Sequence, residues 1–296
     1  MTATASSVAA GRRNDLLLYL TIAFATSWGA WLVAIGLGGT PMSAPTVVPY
    51  LLGAFGPLIA ALVVRTLRVR RGEPIPDRVV RTDRRTLLWA PLLLVLSAAT
   101  VLGAGVLARA AGQPLPGLDD VTATMSESGG TAAFLVSMVI SGPLSEEPGW
   151  RGTAYPRLRA ALGRYQVCVL LGVIWAIWHV PLFFVHGTPQ NELGIATPSG
   201  ILFLVNAVPM AMLTGYAYEK AGVIAAMAVH FATNTTLVLL DVHDPVTSAL
   251  ALGIQGIVGV LLLRTLREQP PSRKLSPPAA ERDENRDRMS APAGRD

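Results

Sequence analysis

The sequence predicts an all-α fold, a polytopic bundle of about eight transmembrane helices. Three observations lead there. The 296-residue chain is 51% hydrophobic with a mean hydropathy of +0.47, and only 15% of it is charged, against roughly 25% in soluble globular domains. Its apolar residues gather in runs of about 20, the length that crosses a bilayer core as a helix. Its positive charge sits between those runs: residues 65–86 hold eight Arg and three acids, a net +5 equal to the formal charge of the whole chain. Charge so localised describes membrane-flanking loops. Despite a pI near 9.8, no nucleic-acid partner is expected. The single cysteine, Cys168, excludes an intrachain disulfide framework and a Cys-rich metal cluster.

The apolar runs fall at 15–37, 46–66, 87–110, 131–155, 166–185, 200–218, 222–240 and 247–265. The first follows Arg12 and Arg13 and imitates a signal peptide. It lacks a convincing cleavage site and is long enough to remain as a span. The fourth is atypical, because it carries Glu146, Glu147 and Arg151. The seventh is short and rich in small and polar residues. With the N-terminus inside, the inner segments and Arg151 hold 23 of the 24 Lys and Arg residues, Arg109 being the exception. The positive-inside rule therefore predicts an integral membrane protein with N-in and C-in topology, and a bacterial plasma membrane is the expected location. Residues 1–14 are read as a cytoplasmic N-terminus and 15–266 as the bundle. Residues 267–296, with five prolines and thirteen charges, are too poor in apolar surface to fold and are read as a disordered cytoplasmic tail. Membrane lipids are expected partners, the Arg-rich loop lying on anionic headgroups at about 1 kcal/mol per basic residue.

Ionisable residues inside spans are costly and mark function by default. They form three clusters here. The first is Ser145-Glu146-Glu147-Pro148-Gly149-Trp150-Arg151-Gly152. Successive helical positions are about 100° apart, so one carboxylate can face a reaction centre while the other makes a structural pairing. Arg151 is spaced to neutralise Glu147, and Pro148 is expected to kink or loosen the preceding turn. The second cluster is Trp175-Ala176-Ile177-Trp178-His179, in which Trp175 and His179 share a helix face. The two tryptophans read as packing or cavity walls. The third is His230-Phe231-Ala232-Thr233-Asn234, again an i, i+4 polar pair. It can donate hydrogen bonds to an oxyanion or tie two helices together. His186 and His243 fall in outer loops and read as surface residues.

These blocks resemble the signatures of the CPBP family, the CAAX-protease and bacteriocin-processing (Abi) intramembrane proteases. Glu146, Glu147 and Arg151 match Glu-Glu-x-x-x-Arg, continuing as Trp150-Arg151-Gly152. His179 matches the histidine of Phe-x-x-x-His, with Trp175 where the family usually has Phe. His230 and Asn234 match His-x-x-x-Asn. The matched core runs from about 131 to 240. The resemblance implies an intramembrane endopeptidase acting on a membrane-associated peptide or protein, CAAX-like or bacteriocin-type. By analogy Glu146 and His179 activate water, His230 and Asn234 stabilise the oxyanion, and Glu147 and Arg151 support the site. Metal dependence stays open. Zinc held by Glu146, His179 and His230 is one alternative, although the chain lacks His-Glu-x-x-His and the reading leans toward a metal-independent glutamate protease. A non-proteolytic immunity or scaffold protein of the same fold is the alternative function, and a proton-coupled transporter a weaker one. Counted at 1.5 Å per residue, Glu146 lies about 22 Å along its helix from Thr131 and His230 about 12 Å from the inner end of its own. This predicts a cavity open to the cytoplasm, with His179 fitting less well at about 21 Å from Tyr165.

Overall fold

Each of the eight apolar runs folds as helix in a computed structural model, which describes residues 5–73, 80 and 82–266, with side chains from 14 onward. The expected tail, 267–296, and the middle of the Arg-rich loop lie outside the described residues. No strand occurs among the described residues. In chain order the helices are α1 Ala5–Leu37, α2 Val47–Ala54, α3 Gly56–Arg70, α4 Arg84–Ala110, α5 Leu118–Glu127, α6 Thr131–Val139, α7 Ser145–Gly149, α8 Tyr155–Arg159, α9 Arg164–His179, α10 Pro189–Leu193, α11 Pro198–Ala221, α12 Val223–Leu239 and α13 Pro245–Arg264.

The architecture is an all-α polytopic bundle. Five stretches are long and apolar enough to cross a membrane: Asn14–Leu37, Arg84–Ala110, Arg164–Phe184, Pro198–Ala221 and Pro245–Arg264. Two bent pairs bring the number to seven, α2 with α3 at 54° and α5 with Thr131–Arg159 at 74°. The remaining expected span, the seventh run, is α12, which has 17 residues and falls short of the length needed alone. It is packed against α4 and α11, so protein rather than lipid surrounds much of it.

Local chemistry accounts for the helix ends. Asp83 caps α4 by accepting from the N–H of Arg85 at 3.0 Å and Thr86 at 3.1 Å, and Asp244 caps α13 ahead of Pro245 through Thr247 N–H at 2.8 Å. Gly222, at φ 83°, turns the chain between α11 and α12. Small residues allow close approach: a Cβ on Gly172 of α9 would lie 2.6 Å from Val208 Cα of α11. The outer flank of α4 leaves Leu87, Leu88, Leu92, Val95 and Val106 exposed, a surface suited to hydrocarbon rather than water.

Candidate active site

Glu146 and Glu147 reach the interior because their helix is broken first. Ser141 (φ −87°, ψ 63°) and Gly142 (φ 148°, ψ −84°) leave helical geometry between α6 and α7. A positive φ of this size suits glycine. Ser145 recaps the broken end, its Oγ accepting from Gly142 N–H at 3.1 Å. The sequence predicted distortion at Pro148; the sharpest departure lies upstream, at Ser141–Gly142. Beyond Pro148 the backbone widens into a π-type turn over Trp150–Ala154. There Thr153 Oγ donates to the Pro148 carbonyl at 3.2 Å, supplying part of what irregular backbone needs at membrane depth.

The restarted helix sends its two carboxylates in different directions. Glu147, fully buried, accepts at one oxygen from Arg151 Nη1 at 3.0 Å and from His230 Nδ1 at 2.8 Å. Glu146, 6% exposed, faces the other way and accepts from Trp175 Nε1 at 2.6 Å. Trp175 is therefore more than a wall. Its ring also lies under the guanidinium of Arg151, whose Cζ is 4.4 Å from the ring centroid. Its carbonyl meets His179 Nδ1 at 2.8 Å. A carbonyl only accepts, so Nδ1 carries the proton, and Nε2 of neutral His179 is left as an acceptor.

On α12, His230 and Asn234 project together. A Cβ on Gly142 would sit 3.2 Å from His230 Nε2 and 3.4 Å from Asn234 Nδ2. The two nitrogens thus converge on the chain break. Glu146, His179, His230 and Asn234 all line one cavity of about 150 Å³, while Glu147 and Arg151 are buried behind it. Among the described residues, no three His, Cys, Asp or Glu are arranged to hold a metal ion. Nδ1 of His179 meets a backbone carbonyl and Nδ1 of His230 a carboxylate, which leaves Nε2 as the ring atom of each that can serve the cavity.

Residues outside the motifs complete the cavity. Trp31 of α1 and Tyr50 and Ala54 of α2 line it, although these helices precede the motif core. Along α11, Phe203, Asn206, Ala207 and Met210 line it at i, i+3, i+4 and i+7. Asn206 is the polar member of that stripe, and its Oδ1 is buried without a hydrogen-bond partner. Its position amid the apolar run of α11 was the available sequence signal. His186 and His243 are exposed, as expected.

Comparison with known proteins agrees with the motif resemblance. Residues 128–236 match the family described as Rce1-like, type II CAAX prenyl endopeptidase Rce1-like. The chain is similar to CAAX prenyl protease 2 of Methanococcus maripaludis, 28% identical over 121 residues. That match covers 40% of this chain and 44% of the relative, so the chain spans less than half of the relative's length.

Proposed function

We propose that this chain, whose core falls with the CPBP/CAAX proteases, is an intramembrane endopeptidase. It hydrolyses a peptide bond of a membrane-associated substrate. The observation that carries this reading is one cavity lined by an acceptor pair, Glu146 and His179, and by a second pair, His230 and Asn234, whose nitrogens converge.

The chemistry follows from what each atom can do. The Glu146 carboxylate and His179 Nε2 accept hydrogen bonds from a water and take its proton as the oxygen attacks the substrate carbonyl carbon. The carbonyl oxygen gains negative charge. Asn234 Nδ2–H donates to it. In its imidazolium form His230 also donates through Nε2–H, since Nδ1 is engaged by Glu147. That form also balances charge: Arg151 and His230 offset Glu146 and Glu147, which matters where dielectric screening is weak. The C–N bond then breaks, and the departing amine receives the proton first taken from water. Asn206 offers an amide at the cavity wall for the substrate backbone.

The test compares peptide termini in membranes from cells carrying the normal protein and Glu146→Gln. Gln is nearly isosteric and cannot accept the proton. Termini that depend on the normal protein and vanish with Glu146→Gln, at equal protein level, are the expected result. Identical termini in both strains would instead favour a non-proteolytic immunity or scaffold role.

A further inference from the structure

The two ends of the bundle differ in charge. One end gathers eleven Lys and Arg among the described side chains, Arg65, Arg68, Arg164 and Arg264 among them, with four acids. The opposite end carries Arg109 alone and six acids. Contacts show that the basic chain segments lie together. Asp15 of α1 pairs with Arg68 of α3 and with Arg157 of α8 at 3.5 Å. Arg159 meets Glu219 of α11 at 3.0 Å, and Arg164 donates to the Leu263 carbonyl of α13 at 2.7 Å. At the far end Ser199 Oγ donates to the His243 carbonyl at 2.7 Å, and Glu192 approaches His243.

The cavity reaches through the middle of the bundle into its far half. Measured from the basic end at 1.5 Å per residue, His179 is about 22 Å along α9 and Trp31 about 25 Å along α1. By the same rise His230, Asn234 and Leu237 lie about 10, 16 and 21 Å along α12. In a hydrocarbon core about 30 Å thick, these levels run from the inner third to beyond the outer boundary of the middle. One cavity residue, Gln190 on α10, comes from the loop at the acidic end. Between the cavity and the basic end the interior is filled: Tyr19, Trp150, Arg151 and Tyr155 are at most 1% exposed.

We infer that the cavity opens away from the basic end, so that its substrates present their scissile bond from the extracytoplasmic side of the membrane. The positive-inside rule puts the basic end in the cytoplasm. This replaces the cytoplasmic opening expected from two residue depths, which took no account of Gln190, Trp31 or the filled floor. The partner is a peptide or protein held in or on the outer leaflet by an apolar anchor. A segment exposed only in the cytoplasm would face the closed end. The inference rests on the endopeptidase reading for its substrate but on charge and packing for its geometry.

The test uses the full chain in intact cells, with Cys168→Ala and one new cysteine at a time, and a membrane-impermeant maleimide. Gln190→Cys, in the cavity, is expected to label on intact cells. Thr265→Cys, at the basic end, is expected to label only after permeabilisation. His243→Cys, exposed at the acidic end beside Glu192, gives a second readout if Gln190→Cys does not accumulate. Labelling with the opposite sidedness overturns the inference. If sidedness is as expected but Glu146→Gln leaves membrane-peptide termini unchanged, the opening stands and the endopeptidase reading fails. If dependent termini map to cytoplasmic segments, the substrate assignment fails.

Discussion

The site is built by two stretches that solve the same problem in opposite ways. α12 is an unbroken helix, and ordinary i, i+4 spacing is enough to set His230 and Asn234 side by side. The segment from Ile140 to Ala154 is irregular at both ends, broken at Ser141–Gly142 and widened after Pro148. Within α7 the two carboxylates still diverge by about 100°, and each is buried against a different helix, Glu147 against α12 and Glu146 against α9. The comparison teaches that a pair of donors needs only helix periodicity, whereas two adjacent carboxylates at membrane depth need three different partner groups.

Of three variants that divide the two stretches, the one that removes a donor from the regular stretch should have the largest effect. Asn234→Ala is expected to lower kcat by roughly 10²–10³ while KM changes little, the pattern of a group that acts in the transition state. A rise in KM with unchanged kcat would make Asn234 a residue of substrate binding or packing instead. The broken stretch should respond differently. Gly142→Ala puts a Cβ at φ 148° and about 3.2 Å from His230 Nε2, so thermal stability and kcat should fall together, kcat by about tenfold to a hundredfold for strain of order 1–3 kcal/mol. If Gly142→Ala melts and turns over like the parent, the break is not what seats the two histidine-proximal nitrogens.

The smallest expected effect probes the junction of the two stretches. Trp175→Phe restores the residue usual at this motif position and removes the hydrogen bond to Glu146. A bond to a charged group contributes about 1.5–3 kcal/mol in total, of which only the part that changes at the transition state affects rate. A loss of about tenfold in kcat corresponds to about 1.4 kcal/mol. Unchanged kcat would show that Glu146 is oriented without Trp175. Steady-state kinetics on purified full chain reads all three variants, with melting curves to separate folding from rate.

The helices and the polar positions were legible because they depend on local composition. Runs of apolar residues and Arg-rich flanks mark the helices, and the spacing within each of the three motifs marks a shared helix face. That spacing predicts the Glu147–Arg151 pair, which forms at 3.0 Å, but it reveals no partner on another helix. Trp175 read as a wall, yet its indole N–H holds Glu146 and its carbonyl selects the tautomer of His179. His230 read as an oxyanion donor or a tie between helices, and its Nδ1 is joined to Glu147. Trp31 and Tyr50 carry no signal of their own in an apolar span, and Asn206 carries only that of a lone amide in an apolar run. Their place in the cavity comes from the packing of α1, α2 and α11 against other helices, which spacing within one helix does not encode.

The way the polar groups converge on the cavity has a consequence for what can be cut. In a helix each carbonyl already accepts from the N–H four residues on, and side chains sheathe the backbone. A carbonyl that is to lie between Glu146 and the His230–Asn234 pair must be released from that bond. Under the proposed activity, a substrate must therefore melt locally before it is hydrolysed. In hydrocarbon each backbone group so freed costs several kcal/mol unless something replaces its hydrogen bond. Water near the membrane edge and the amides of Asn206 and Gln190 are the replacements at hand. Segments already weakened by Gly or Pro melt at lower cost than continuous helix. Selection then falls on conformational stability near the bilayer edge more than on side-chain identity, and stable helices that diffuse past the cavity remain intact.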